Sequence, residues 1–380
     1  MSFTSLQLST HLLQALNYLG YEKPFPIQEA AIPAIFTRKD VLGIAPTGSG
    51  KTVAYLLPIL SLLEKFERPK NRHIQILIVV PTRELAIQIQ EVAKIFCKAL
   101  PYHVKSLAVF GGVSIQTQMQ ELQDVQVLIA TPGRLLELVD SNALHLSQLE
   151  ILVLDEADKI LNLGFKKEMN QVFRLLPTKR QNILFSATLS EDLEGLNQVL
   201  LHEPTVVKTE AEELTIENIQ QSAYLVSEER RGPLLRYLIK SRQIPQVLIF
   251  CSSVYEADNV TDKLCKNGIE ARAIHSKKSQ LARTDALLLF KQDKVRVLVA
   301  TDLISRGIDI PALPLVINYE LPRSPKDYIH RIGRTGRASA TGEAISLVIP
   351  SAEHHFKVIQ KKMKKSVETI DSSIFDLKGF

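Results

Sequence analysis

Short runs of Val, Ile and Leu recur along the chain between longer stretches whose apolar residues fall at helical spacing. In the first half these runs are VLGI from Val41, ILIVV from Ile76, VLIA from Val127, ILVLD from Ile151 and NILFS from Asn182. Being apolar at consecutive rather than alternating positions, they predict parallel strands buried on both faces and joined by helices. After TVVKTEAEELTIENIQQ the rhythm restarts: SAYLV from Ser222, VLIF from Val247, ARAI from Ala271, VRVLVA from Val295, LVINY from Leu315 and AISLVI from Ala344. The fold class is thus α/β, with two mostly parallel sheets in tandem. The acidic, polar stretch between them has little to bury and predicts a linker over 209–220 between domains at 1–208 and 221–380. Near the end, FKVIQKKMKKSVETI sets Phe356, Ile359, Met363 and Val367 on one helical face among lysines, which predicts a packed terminal helix.

Length supports the division, because 380 residues exceed one ordinary core and suggest about two domains. With 45% hydrophobic and 23% charged residues the composition is that of a soluble globular protein, and VAYLLPILSLL at 53–63 is too short to cross a bilayer. The opening MSFTSLQLSTHLLQALNYLG lacks the basic start of a signal peptide, so a cytoplasmic location is expected. Cys97, Cys251 and Cys265 form no CxxC pair, which excludes a cysteine-based zinc site and fits a reducing compartment. A net charge of +5 permits an anionic partner without requiring one.

Chemistry enters at APTGSGKT, 45–52, which lies between the predicted strand VLGI and a helical run, the context a phosphate-binding loop needs. Gly48 and Gly50 let the backbone curl so that successive N–H groups face phosphate oxygens. Lys51 reaches the outer phosphates, and Thr52 is a ligand for Mg²⁺. Ala45 stands where the general pattern has a leading glycine, followed by Pro46, Thr47 and Ser49 in the loop. VLDEADKI, 153–160, puts acids at the end of a buried strand, where open α/β sheets bind ligands. Asp155 is placed to hold Mg²⁺ through water, and Glu156 to orient and deprotonate an attacking water.

Taken with DEAD at 155–158, SAT at 186–188 and HRIGRTGR at 330–337, the phosphate loop resembles that of the DEAD-box ATP-dependent RNA helicases. The resemblance spans nearly the whole chain through GYEKPFPIQ at 20–28, PTRELA at 81–86, GG at 111–112, TPGR at 131–134, LIFCSS at 248–253 and ATDLISRGIDIP at 300–311. It implies two RecA-like domains that close on ATP and single-stranded RNA. It further implies that Gln28 reads adenine, that Phe3 packs on the base, and that Asp309 reaches the ribose. Arg334 and Arg337 resemble the arginine fingers and, with Lys51 and Glu156, make up the catalytic set; Arg331 is left unassigned. Sequence-independent RNA contacts are implied for Arg83, Gly111, Gly112, Thr131, Pro132, Gly133 and Arg134 on the first domain. On the second they fall to Gln280, Arg283, Thr301 and Arg306. Asp158, Ser186, Thr188 and His330 would couple the two sites. Two positions depart from the family pattern: Phe25 replaces a small polar residue, and HSKKSQ at 275–280 opens His-Ser instead of His-Gly. The expected activity is RNA-stimulated ATP hydrolysis that opens short duplexes, by a monomer, with ATP and Mg²⁺. An ATP-gated RNA clamp with little unwinding and a DNA-directed helicase are the alternatives.

Overall fold

The computed structural model describes residues 2–46, 48–187, 195, 200–209, 219–242, 244–302, 313–336 and 342–380, without the side chain of Lys326. Thr47, Thr188, Arg306, Asp309, Arg337 and most of the expected linker therefore lie outside the described residues. The chain divides into two units, Met1–Ala211 and Glu212–Phe380.

In the first unit the strands are β1 (Val41–Ile44), β2 (Ile76–Val79), β3 (Lys105–Val109), β4 (Val125–Ala130), β5 (Ile151–Leu154), β6 (Gln181–Ser186) and β7 (Thr205–Lys208). They form one parallel sheet in the order β3-β4-β2-β5-β6-β1-β7. Helices α1 (Thr10–Tyr18), α2 (Pro26–Phe36), α3 (Lys51–Leu63) and α4 (Arg83–Ala99) cover one face. The other is covered by α5 (Ile115–Glu121), α6 (Pro132–Asp140), α7 (Ala157–Asn162) and α8 (Lys166–Leu175). Two covered faces explain the unbroken apolar runs: in β2, Ile76 and Ile78 pack into one layer while Leu77 and Val79 pack into the other. Gly43 interrupts VLGI because a Cβ there would run into the ring of Phe185 on neighbouring β6.

The second unit repeats the plan with β8 (Ile219–Leu225), β9 (Val247–Cys251), β10 (Ala271–Ile274), β11 (Val297–Thr301), β12 (Leu315–Asn318), β13 (Gly342–Val348) and β14 (Glu368–Asp371). Its sheet runs β10-β11-β9-β12-β13-β8-β14, which is position for position the order of the first. Around it lie α9 (Glu228–Ser241), α10 (Val254–Lys266), α11 (Gln280–Lys291), α12 (Pro325–Ile332) and α13 (Glu353–Met363).

The terminal helix is shorter than the sequence predicts. Phe356, Ile359 and Met363 are buried on α13, but Lys364 turns left-handed at φ 55° and ends it. The chain then straightens into β14 beside β8, so Val367 is buried from a loop and not from a helix.

Candidate active site

In the order β5-β6-β1, three neighbouring strands end side by side. β5 delivers Asp155 and Glu156, β6 delivers Ser186, and β1 delivers the phosphate loop, tied to β6 by the hydrogen bond from Ala45 N to the Ser186 carbonyl at 3.0 Å. Gly48 and Gly50 have φ of 86° and 84°, conformations that side-chain-bearing residues rarely adopt. Ser49 Oγ donates to the Pro46 carbonyl at 2.8 Å and closes the turn. Lys51, the first residue of α3, folds its ammonium back onto the Ala45 carbonyl at 3.0 Å, so the cation sits inside the loop it serves.

Gln28 is fully buried beside this loop. Its Oε1 accepts from Phe25 N at 2.9 Å and its Nε2 donates to the Gly50 carbonyl at 3.1 Å. The carboxamide thus ties the start of α2 to the phosphate loop, leaving one N–H and one lone pair for any base. Phe3 is 5% exposed and packs edge-on against Tyr21 at 6.4 Å between centroids, so its ring belongs mainly to the core. Phe25, by contrast, is 51% exposed and lies directly over Gly50.

Asp155 and Glu156 are both buried. Asp155 Oδ2 accepts from the Tyr55 hydroxyl at 2.9 Å and Oδ1 from Glu156 N at 2.9 Å. Burial raises the Asp155 pKa, against the opposing pull of Lys51 and of the Tyr55 hydrogen bond. Glu156 has a left-handed backbone, φ 52°, where a non-glycine residue costs about 1–3 kcal/mol, and this kink turns β5 abruptly into α7. Its Oε1 is held by Lys159 Nζ at 2.5 Å, while its buried Oε2 accepts no hydrogen bond among the described residues. Burial raises the Glu156 pKa as well, with Lys159 opposing and Asp155 adding to the rise. One carboxylate oxygen is therefore fixed and the other is left to take a proton. Thr52 and Asp155 supply hard oxygen donors of the kind Mg²⁺ prefers. Among the described residues no cluster of three acidic, His or Cys side chains forms a cage, which suits an ion that keeps most of its waters.

On the other half of this sheet, β3-β4-β2, the strand ends carry the residues expected to meet RNA. Arg83 opens α4 after β2, and its guanidinium fills the space a Cβ on Gly112 would need. Gly111 and Gly112 follow β3. Thr131 begins α6 after β4, with Pro132 in the first turn and open space around Gly133. Arg134 points inward: it is 6% exposed and bonds Gln118 at 2.6 Å, the Val113 carbonyl at 2.9 Å and Glu137 at 2.7 Å. It shapes the glycine loop and presents almost none of its own surface. Asp158 is buried on α7.

In the second unit, Thr301 ends β11 and is buried; Gln280 opens α11, where its Oε1 accepts from buried Arg283 at 2.6 Å. His275 is buried, its Nε2 3.0 Å from Asp258, which anchors the unusual HSKK turn. His330 and Arg334 flank the end of α12. Arg331 between them is 2% exposed and grips Asp302 with two hydrogen bonds of 2.6 and 2.8 Å. It also bonds Asn318 Oδ1 at 3.1 Å and the Glu320 carbonyl at 2.5 Å, over the ring of Phe250. The unassigned arginine is thus the internal brace of its unit.

Sequence reasoning passed over Tyr55, Lys159, Gln118 and the Asp302–Arg331 pair. Two of these had a usable signal: Tyr55 lies one helical turn beyond Lys51, on the same face of α3, and Lys159 lies three residues beyond its partner Glu156.

A phosphate loop and an acidic strand end on one sheet, followed by a second sheet of the same connectivity, define a nucleoside-triphosphate-binding protein with two RecA-like sheets in tandem. The family model "DEAD/DEAH box helicase" matches residues 25–196, and "Helicase conserved C-terminal domain" matches 231–339. The ATP-dependent RNA helicase CshA of Listeria monocytogenes is 35% identical over 98% of this chain and 71% of its own length. DbpA of Bacillus subtilis is 37% identical over 97% of the chain and 76% of its own. Among solved structures, S. cerevisiae Dbp5 bound to RNA and ADP BeF3 superposes with a TM-score of 0.84 at 29% identity, covering 97% of this chain and 95% of that one. The chain belongs to the family of DEAD-box ATP-dependent RNA helicases.

Proposed function

We propose that this helicase hydrolyses ATP at the ends of β5, β6 and β1 only when RNA at the ends of β3, β4 and β2 brings in the arginines of the second unit. Lys51 and the loop amides hold the phosphates, with Gln28, Phe3 and Asp309 on base and ribose. Mg²⁺, held by Thr52 and by Asp155 through water, would neutralise charge on the phosphates. Glu156 Oε2 takes the proton of the attacking water as its oxygen bonds to the γ-phosphorus and the bond to the bridging oxygen breaks, releasing ADP. Arg334 and Arg337 meet the charge that develops, a contribution of about 10³–10⁵ in rate or ~4–7 kcal/mol. Arg83, the backbone around Gly111, Gly112 and Thr131–Gly133, and Gln280, Arg283, Thr301 and Arg306 hold RNA without reading bases. Asp158, Ser186, Thr188 and His330 couple RNA to the nucleotide, in a protein working in the cytoplasm.

The carrying observation is Glu156, with one carboxylate oxygen clamped by Lys159 and the other buried without a partner. RNA-stimulated ATP turnover by Glu156→Gln tests it: a loss of at least a hundredfold is expected, and full activity would refute the assignment. A 2′-hydroxyl requirement should appear as stimulation by RNA and not by DNA of the same length.

A further inference from the structure

At the opposite end of the first sheet, where β2 and β4 begin, a cavity of about 250 Å³ is lined by Arg68, Lys70, Arg72, His73 and His103, with Asp124 as its one carboxylate. A broader concavity of about 790 Å³ continues from His103 along the edge strand β3, past Tyr102, Lys94, Lys98 and Lys105, with Glu121 at its margin. Glu64, near Tyr102, is a third acid of this neighbourhood. Six permanent cations and two histidines thus face three carboxylates, in a unit that is otherwise more acidic than basic. The loop that presents them is fixed in place: Lys70 N donates to Gln148 Oε1 at 2.9 Å, His145 N to the Arg72 carbonyl at 2.8 Å, and Ile74 N to the His145 carbonyl at 3.0 Å. Arg72 and Asp124, facing this cavity, both have left-handed backbones, φ 63° and 58°. Holding two such residues at one spot costs about 1–3 kcal/mol each, a pattern that gathers at ligand sites.

We infer that this cationic trough is a second binding site for RNA phosphates, apart from the strand-end contacts proposed above. A continuous run of cations along a groove tracks a polyanionic backbone, and His73, whose ring lies 4.8 Å from that of His145, offers a flat face for a base. The sheet between this trough and the strand ends that carry the proposed RNA contacts is about 15–20 Å tall. A short oligonucleotide therefore reaches one site only, while a longer RNA leaving those strand ends can pass around β3 and engage both. The inference rests on the RNA contacts proposed above.

The test compares RNA of about 8 nucleotides with RNA of about 40 as activators of the intact protein's ATPase. Two variants are used, Arg68→Glu with Arg72→Glu, and Lys94→Glu with Lys98→Glu. For the long RNA the half-saturating concentration should rise about tenfold, and the slope of log affinity on log salt should fall by about one to two. Turnover at saturation and activation by the short RNA should stay at parental values, which also reports correct folding. Parental affinity and salt slope with the long RNA would overturn the inference. So would variants that keep long-RNA affinity but lose binding of polyglutamate, which would assign the trough to an acidic protein segment. Failure of the parent protein to be activated by either RNA would count against the ATPase reading, a separate result.

Discussion

Replacing Arg331 by methionine takes out a guanidinium that makes two bonds to Asp302, one to Asn318 and one to the Glu320 carbonyl, while leaving a chain of similar bulk over Phe250. Asn318 is fully buried and would lose a bond it cannot replace with water, at about 1–3 kcal/mol. Removing one partner of a buried ion pair costs about 3–5 kcal/mol. Asp302 is 31% exposed on its side chain and can recover some hydration, so the lower part of that range applies. A total of about 4–6 kcal/mol in a unit of this size lowers its melting temperature by roughly 8–24 °C at about 2–4 °C per kcal/mol. Calorimetry of the full chain should show the second unit's transition moving down and the first unit's staying put. Arg331→Lys, which keeps charge but not the fork, should fall between. If Arg331→Met melts within about 2 °C of the parent yet loses ATP turnover, the brace is wrong and the residue acts on nucleotide or RNA directly.

Three other outcomes follow from the first unit. Tyr55→Phe removes the hydroxyl that orients Asp155, and the Mg²⁺ concentration for half-maximal turnover should rise about tenfold or more; an unchanged Mg²⁺ requirement would deny Tyr55 that role. Gly50→Ala forces a side chain into a left-handed turn and toward Gln28 and Phe25, so ATP binding should fall by at least tenfold while the fold persists; normal nucleotide affinity would refute the packing argument. Burial raises the Glu156 pKa above 4.5, so the folded protein holds that proton more tightly than the unfolded chain. The stability due to the protonated form is then lost as pH rises from about 4.5 through the raised value. Glu156→Gln cannot ionise, and its melting temperature should vary less with pH in that window; an identical pH slope would remove Glu156 from the balance.

What the sequence made legible was whatever the sheet buries on both sides. The central strands β1, β2, β4, β5 and β6 read directly as apolar runs, whereas β3, β7 and β14 did not. Each of these is an edge strand: TVVK exposes most of its residues and ETID nearly all, so no apolar run marks them, whereas β3 is buried from Ser106 onward and its apolar run, Leu107 to Val109, is only three residues long. The phosphate loop was legible because Gly48 and Gly50 are required by backbone conformation. Inward-facing polar residues were not, because Arg134 and Arg331 read in a motif as surface cations, and only the fold reveals the carbonyls and carboxylates that bind them.

Two sheets with the same connectivity lie in series, and they differ where the first strand of each hands over to its helix. In the N-terminal unit residues 45–50 form the glycine-bearing loop; in the other, Val226 and Ser227 suffice, and Glu228 and Glu229 open the helix with negative charge that repels a triphosphate. Among the described residues only the N-terminal sheet hands a strand to a helix through such a loop, so the chain offers a triphosphate one seat and not two.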